Sequence, residues 1–226
     1  MADLPVLLVH GFASSYERNW REPGWVDLLQ DEGRQVIGVD LLGHGEAEKP
    51  HDPAAYADLE QYVVRALPAE GPVDAIGFSL GAQLLLRAAA ANPSRFHRLV
   101  VGGVGESVFR DGDPEPSARA IETGTTSDGD PAAAQAFGRF ARAAGNDPAA
   151  LAACMRRPTT RLDPAELASL DLPVLVVLGD KDFAGPADGL LAALPDARFV
   201  GLHGGDHFGT PKDFRFIDAA LTFLRG

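Results

Sequence analysis

Hydrophobic positions along the chain gather into short continuous runs separated by longer stretches of mixed polarity. Runs at Val6–Val9, Val36–Val39, 73–76, 99–104, 174–178 and 198–202 are apolar nearly throughout and are bounded by Gly, Pro, Asp or Asn. Parallel strands covered on both faces read this way, because neither face alternates with polar residues. Between the runs, Trp25–Asp31, 59–67, Leu80–Ala91 and 214–224 have helical composition, and Leu80–Ala91 stops at Asn92-Pro93. This alternation predicts an α/β fold, a doubly wound sheet of about six parallel strands.

The interval between the fourth and fifth runs is too long for a simple crossover. Its first part, 111–130, is rich in acids, Gly and Pro and reads as a solvated loop; helices are expected over 132–144, 148–157 and 164–170. The expectation is a single domain over 1–226, with 105–170 forming a small helical cap. No repeat or linker marks a second domain.

Composition narrows the partners. The chain has 226 residues, with 20 Lys plus Arg against 32 Asp plus Glu, a net charge of −12. So acidic a balance argues against nucleic acid and anionic membrane surfaces, and leaves a small-molecule substrate as the expected partner of a monomer or homodimer. The single Cys154 excludes a disulfide framework and a multi-cysteine metal site. The opening residues lack a basic segment and their apolar run breaks at His10-Gly11, so neither a signal peptide nor a membrane span is expected, and the location expected is cytoplasmic.

Candidate chemistry sits at the ends of the predicted strands. Gly77-Phe78-Ser79-Leu80-Gly81 has the form G-x-S-x-G between a strand and a helix. There a serine hydroxyl is presented on a cramped bend, beside helix N–H groups that suit a developing oxyanion. A hydroxyl needs a base and an orienting acid. His207, in the Gly204-Gly205-Asp206-His207 loop, supplies the first, and Asp182, past the fifth run, the second. Asp180 and Glu106 remain alternatives for the acid. The loop at His10-Gly11-Phe12 offers the Phe12 backbone N–H, which with that of Leu80 would make a two-donor oxyanion hole. Phe12, Tyr16, Phe183 and Phe208 lie close enough in sequence to these groups to line a substrate pocket. Asp40, Trp25 and His203 read as structural, and His44 as structural or touching the site. His203 and His207 lack a further Cys or Glu ligand nearby and do not read as a metal pair.

These pieces, together with Asp40-Leu41-Leu42-Gly43-His44-Gly45, make the sequence resemble the α/β-hydrolase superfamily. The resemblance implies Ser79 as nucleophile, His207 as base and Asp182 as orienting acid, with no cofactor or metal. It implies a serine hydrolase acting on a small ester, thioester or lactone. C–C bond hydrolysis, other cofactor-free chemistry, or a non-catalytic ligand-sensing role are the alternatives. A dehalogenase is disfavoured, because its nucleophile position would hold Asp. The first strand begins too early for the two-stranded hairpin that precedes it in many members, and the short cap favours a partly open cleft.

Overall fold

The computed structural model describes residues 4–126, 132–143 and 145–226. Six strands form one sheet: β1 (Val6–Val9), β2 (Val36–Val39), β3 (Val73–Phe78), β4 (Phe96–Gly102), β5 (Val174–Gly179) and β6 (Ala197–Leu202). Their spatial order is β2-β1-β3-β4-β5-β6, and every pair is parallel.

Side chains of successive strand residues point to opposite faces, and two hydrophobic layers follow. Leu7, Val9, Ala75, Val101 and Val176 face one layer, built largely from α2 (Glu60–Ala66), α3 (Leu80–Ala91) and α8 (Asp188–Ala193). Val6, Leu8, Ile76, Val100 and Val177 face the other, with α1 (Trp25–Asp31) and α9 (Phe214–Arg225). Both faces are covered, which is why the strands read as apolar runs instead of alternating patterns.

The fourth strand starts and ends earlier than the apolar run suggested. His97 and Arg98 stand at its amino end. There His97 Nδ1 hydrogen-bonds Asp74, a buried acid in β3 that also pairs with Arg34. Gly103, at φ 67°, turns the chain out of the sheet. The second correction concerns the acidic stretch 111–130. Its centre is not loop but helix α4 (Glu115–Thr123), which follows Pro114 and buries Ala118, Ala120 and Ile121; residues 127–130 lie outside the described ones. With α5 (Ala132–Ala143), α6 (Pro148–Met155) and α7 (Pro164–Leu167) it fills the interval between β4 and β5. Ala144, the last residue of the helix expected over 132–144, also lies outside the described residues.

The chain enters the sheet at β1, pairs β2 on one side and β3 on the other. The carboxyl ends of β1 and β3 therefore flank the point where winding reverses, the place where open α/β sheets put their ligand sites.

Candidate active site

Ser79 stands between β3 and α3 at φ 51° and ψ −111°, one of two non-glycine residues with positive φ among those described. Its neighbours explain how so strained a turn closes. A Cβ on Gly77 would meet Leu85 Cδ1 at 2.7 Å and the Ala82 backbone N at 2.8 Å, and one on Gly81 would run into the Val9 and His10 carbonyl oxygens. Only glycine at both positions lets the first turn of α3 lie against the end of β1. The Ser79 N–H donates to the Gly102 carbonyl at 2.8 Å, tying the bend to β4.

His207 comes from the loop after β6. Close approach of Gly205 to Gly179 joins that loop to the end of β5, where the Lys181 N–H donates to the Gly205 carbonyl at 3.0 Å. Asp182 is held by its own turn, its Oδ1 accepting from the Ala184 N–H at 2.8 Å. Both Asp182 oxygens lie 2.9 Å from His207 Nδ1, and His207 Nε2 lies 2.9 Å from Ser79 Oγ. The flanking acid fixes the tautomer: Nδ1–H donates to the carboxylate and the Nε2 lone pair faces the hydroxyl. The Asp182 side chain is fully buried and His207 nearly so. The imidazole sits between two rings, Phe183 at 4.2 Å and Phe78 at 5.0 Å between centroids, which keep bulk water from it.

The other acids are committed elsewhere. Asp180 pairs with His203 Nδ1 at 2.8 Å and accepts from the Gly204 N–H, on the outer side of the loop. Glu106 lies 3.7 Å from Arg110 and against Gly189 of α8.

On the far side of Ser79, the loop after β1 is pinned by short bonds. The Gly11 N–H donates to Asn19 Oδ1 at 2.8 Å, and the Gly11 carbonyl accepts from His10 Nδ1 at 2.8 Å. His10 Nε2 in turn accepts from the Leu41 N–H at 3.0 Å, so this ring is neutral, and burial lowers its pKa. His44 is also fully buried; its Nδ1–H donates to the Leu42 carbonyl and desolvation drives its pKa to about 3. His44 packs 5.5 Å from Phe12 and lines no part of the cleft. Leu80 opens α3, so its N–H is among those a helix leaves without an internal acceptor. Leu80 and Phe12 both line the space over Ser79.

A cleft of about 310 Å³ opens over Ser79 and His207. Phe12 and Phe183 line it, as expected. Phe208 does not; it lines a separate small cavity behind Ser79. Tyr16 lines neither, which corrects its expected role: its N–H is drawn to Asp40 Oδ1 at 2.8 Å, and its ring lies on the bare surface of Gly38 in β2. The sequence reading missed Phe137 of α5, which stacks edge-on against both Phe12 and Phe183. Its signal was the Phe137–Phe140 pair, spaced by three on an otherwise Ala-rich helix. It also missed Arg157, which lines the cleft and donates from Nη1 to the Cys154 carbonyl at 2.9 Å. Among the described residues no carboxylate pairs with this guanidinium.

Residues 6–219 match the alpha/beta hydrolase family. The chain belongs to that family. An uncharacterized protein of Mycobacterium tuberculosis is 28% identical over 97% of this chain and 74% of its own length. A 2-hydroxymuconate semialdehyde hydrolase of Pseudomonas sp. is 32% identical over 45% of this chain and 37% of its own length. Among solved structures, the esterase RhEst1 from a Rhodococcus species superposes with a TM-score of 0.69 at 24% identity, covering 100% of this chain and 91% of that one. The protein is thus a hydrolase-fold enzyme, and no helix among its described residues is long and apolar enough to cross a membrane.

Proposed function

We propose that this hydrolase cleaves a small ester, thioester or lactone through an acyl-enzyme on Ser79. The observation that carries the reading is the continuous chain of bonds from Asp182 through His207 to Ser79 Oγ, each link at 2.9 Å. Ser79 Oγ attacks the carbonyl carbon as its proton passes to His207 Nε2. Asp182, buried and unable to move away, stabilises the imidazolium. The oxyanion takes the N–H groups of Phe12 and Leu80. His207 then protonates the leaving group, and water completes the turnover. Phe137, from the stretch expected to form the cap, lines the cleft beside the nucleophile.

A fluorophosphonate probe with p-nitrophenyl acetate turnover tests the reading. Ser79→Ala removes labelling and lowers kcat by roughly 10³-fold or more. Asp182→Asn leaves the wrong tautomer, with a loss of up to ~10⁴ in kcat, the scale such a change has in serine proteases. Glu106→Gln and Asp180→Asn cost less than ~10-fold, since exposed charges act weakly through water. Labelling that persists in Ser79→Ala moves the nucleophile elsewhere; labelling with a single slow turnover points to a ligand sensor.

A second reading, C–C bond hydrolysis by the same residues, draws on the relative whose name gives a semialdehyde, not an ester, as substrate. A substrate panel that includes vinylogous diketo acids separates the two.

A further inference from the structure

Ser79 and His207 face two spaces. Besides the cleft there is a small, partly enclosed space of about 20 Å³, lined by Phe137, Phe140 and Phe208 and by Gly11, Ser14 and Asn19. The aromatic rings offer no hydrogen bonds, yet one polar group remains unspent. Ser14 Oγ is buried with no partner. Asn19 is buried too, and its oxygen is taken by the Gly11 N–H. A buried hydroxyl without a partner carries its full desolvation cost, so native proteins satisfy such groups with ordered water when no protein atom does. A cavity of this size has room for an ordered water.

We propose that Ser14 and Asn19 hold a single water against Ser79 and His207, and that this water releases the acyl group. The proposal rests on the acyl-enzyme reading above. The water accepts from Asn19 Nδ2, donates to Ser14 Oγ, and turns its second hydrogen to His207 Nε2 once the Ser79 hydroxyl hydrogen has left with the alcohol. Its oxygen bonds to the acyl carbon as that hydrogen passes to Nε2, and the carbonyl electron pair moves onto the oxyanion. On collapse the bond between the acyl carbon and Ser79 Oγ breaks, and the proton returns from Nε2 to Oγ. The sum of this half is the acyl ester of Ser79 plus water giving the acid plus free Ser79, with no redox partner. Ser14 touches the water and not the acyl group, so it is a positioning residue. Its signature is a defect confined to the second half of the cycle.

Quenched-flow mass spectrometry with p-nitrophenyl acetate separates the halves: p-nitrophenol release reports acylation, and decay of the acetyl adduct reports deacylation. In Ser14→Ala, acylation stays within about 2-fold of wild type while adduct decay slows roughly 10-fold, the scale of one lost hydrogen bond. Ser14→Val, which fills the cavity, slows decay further, and Ser14→Thr, which keeps the hydroxyl, restores most of it. Should Ser14→Val not fold, Ser14→Ala with a matched melting temperature carries the test. Equal losses in both phases would make Ser14 a brace for the Phe12 loop and overturn the proposal, as would unchanged decay in Ser14→Ala. No acetyl adduct on wild-type Ser79 would bring down the acyl-enzyme reading itself, an outcome distinct from both.

Discussion

Arg157 is the residue that most narrows the substrate. In a chain of net charge −12, a guanidinium that lines the cleft and pairs with no carboxylate among the described residues favours an anion; Asp113, which lines the same cleft, accepts from the Glu115 N–H. Arginine meets carboxylates with a two-pronged geometry that a neutral ligand cannot use. Its charge already acts on its surroundings, helping to lower the pKa of buried His44 and opposing the rise of the Cys154 thiol, which burial pushes up to about 11. Esters bearing a free carboxylate on the arm that enters the cleft are therefore expected to outrun their neutral methyl esters. Arg157→Gln should erase that preference, raising KM for the anionic substrate on the order of 10-fold with little change for the neutral one, the scale of a charge-assisted hydrogen bond. Paired steady-state assays check this, and equal KM changes for both substrates would refute it. Of the residues the structure brings together here, Ser79, His207 and Asp182 were readable because each follows the end of a strand in a Gly-rich setting. Arg157 and Phe137 were not, because helical positions far from any motif carry no mark of what they face across space. Tyr16 misled for the same reason: nearness in sequence to Phe12 placed it, whereas Gly38 on the neighbouring strand left the space its ring fills.

At the scale of elements, the strand runs were legible because burial on both faces removes polar residues, and helix ends were legible where proline and Asn or Asp cap them. The order of the sheet was not, since nothing local to β1 states that it lies between β2 and β3. Asp74 shows what a pattern of polarity hides. It interrupts β3 in the amino half of the strand, buried, with one oxygen on Arg34 ahead of β2 and the other on His97 of β4. It therefore links three neighbouring segments at the end of the sheet opposite the site. Removing one partner of such a group leaves a buried charge uncompensated, at a cost of about 3–5 kcal/mol. Asp74→Ala should lose about that much in urea unfolding, with Ser79 still labelled by the fluorophosphonate in the fraction that is folded. A loss below about 1 kcal/mol, the range of an exposed pair, would show that the charge is not sealed from solvent.

For the molecule as a whole, the two fully buried histidines set an acid limit. His10 and His44 are neutral in the folded chain, with pKa values lowered by burial, His44 to about 3, whereas both take up protons near the ordinary value of 6.5 once unfolded. As pH falls below 6.5 the unfolded chain binds more protons, so stability drops with pH, by up to about 1.4 kcal/mol per unit for each histidine, until the folded pKa is reached. Carboxylates with depressed pKa values, Glu115, Asp147 and Asp213, act in the same direction but only from about pH 4.5 downward. Melting temperatures recorded from pH 7 to 4 should therefore begin to fall near pH 6.5, and His44→Gln should flatten the part of the curve between 6.5 and 4.5. A curve level down to pH 4.5 would contradict it. The strained bend at Ser79 sets a different limit. A non-glycine residue at φ 51° and ψ −111° costs the fold on the order of 1–3 kcal/mol. Glycine would relieve most of that, less the roughly 0.4–1 kcal/mol by which it loosens the unfolded chain. Ser79→Gly should then melt above both Ser79→Ala and the parent chain while doing no chemistry. Breeding this sequence for thermal endurance alone would drift toward an inert, sturdier protein, and only a screen that also demands turnover would keep the serine.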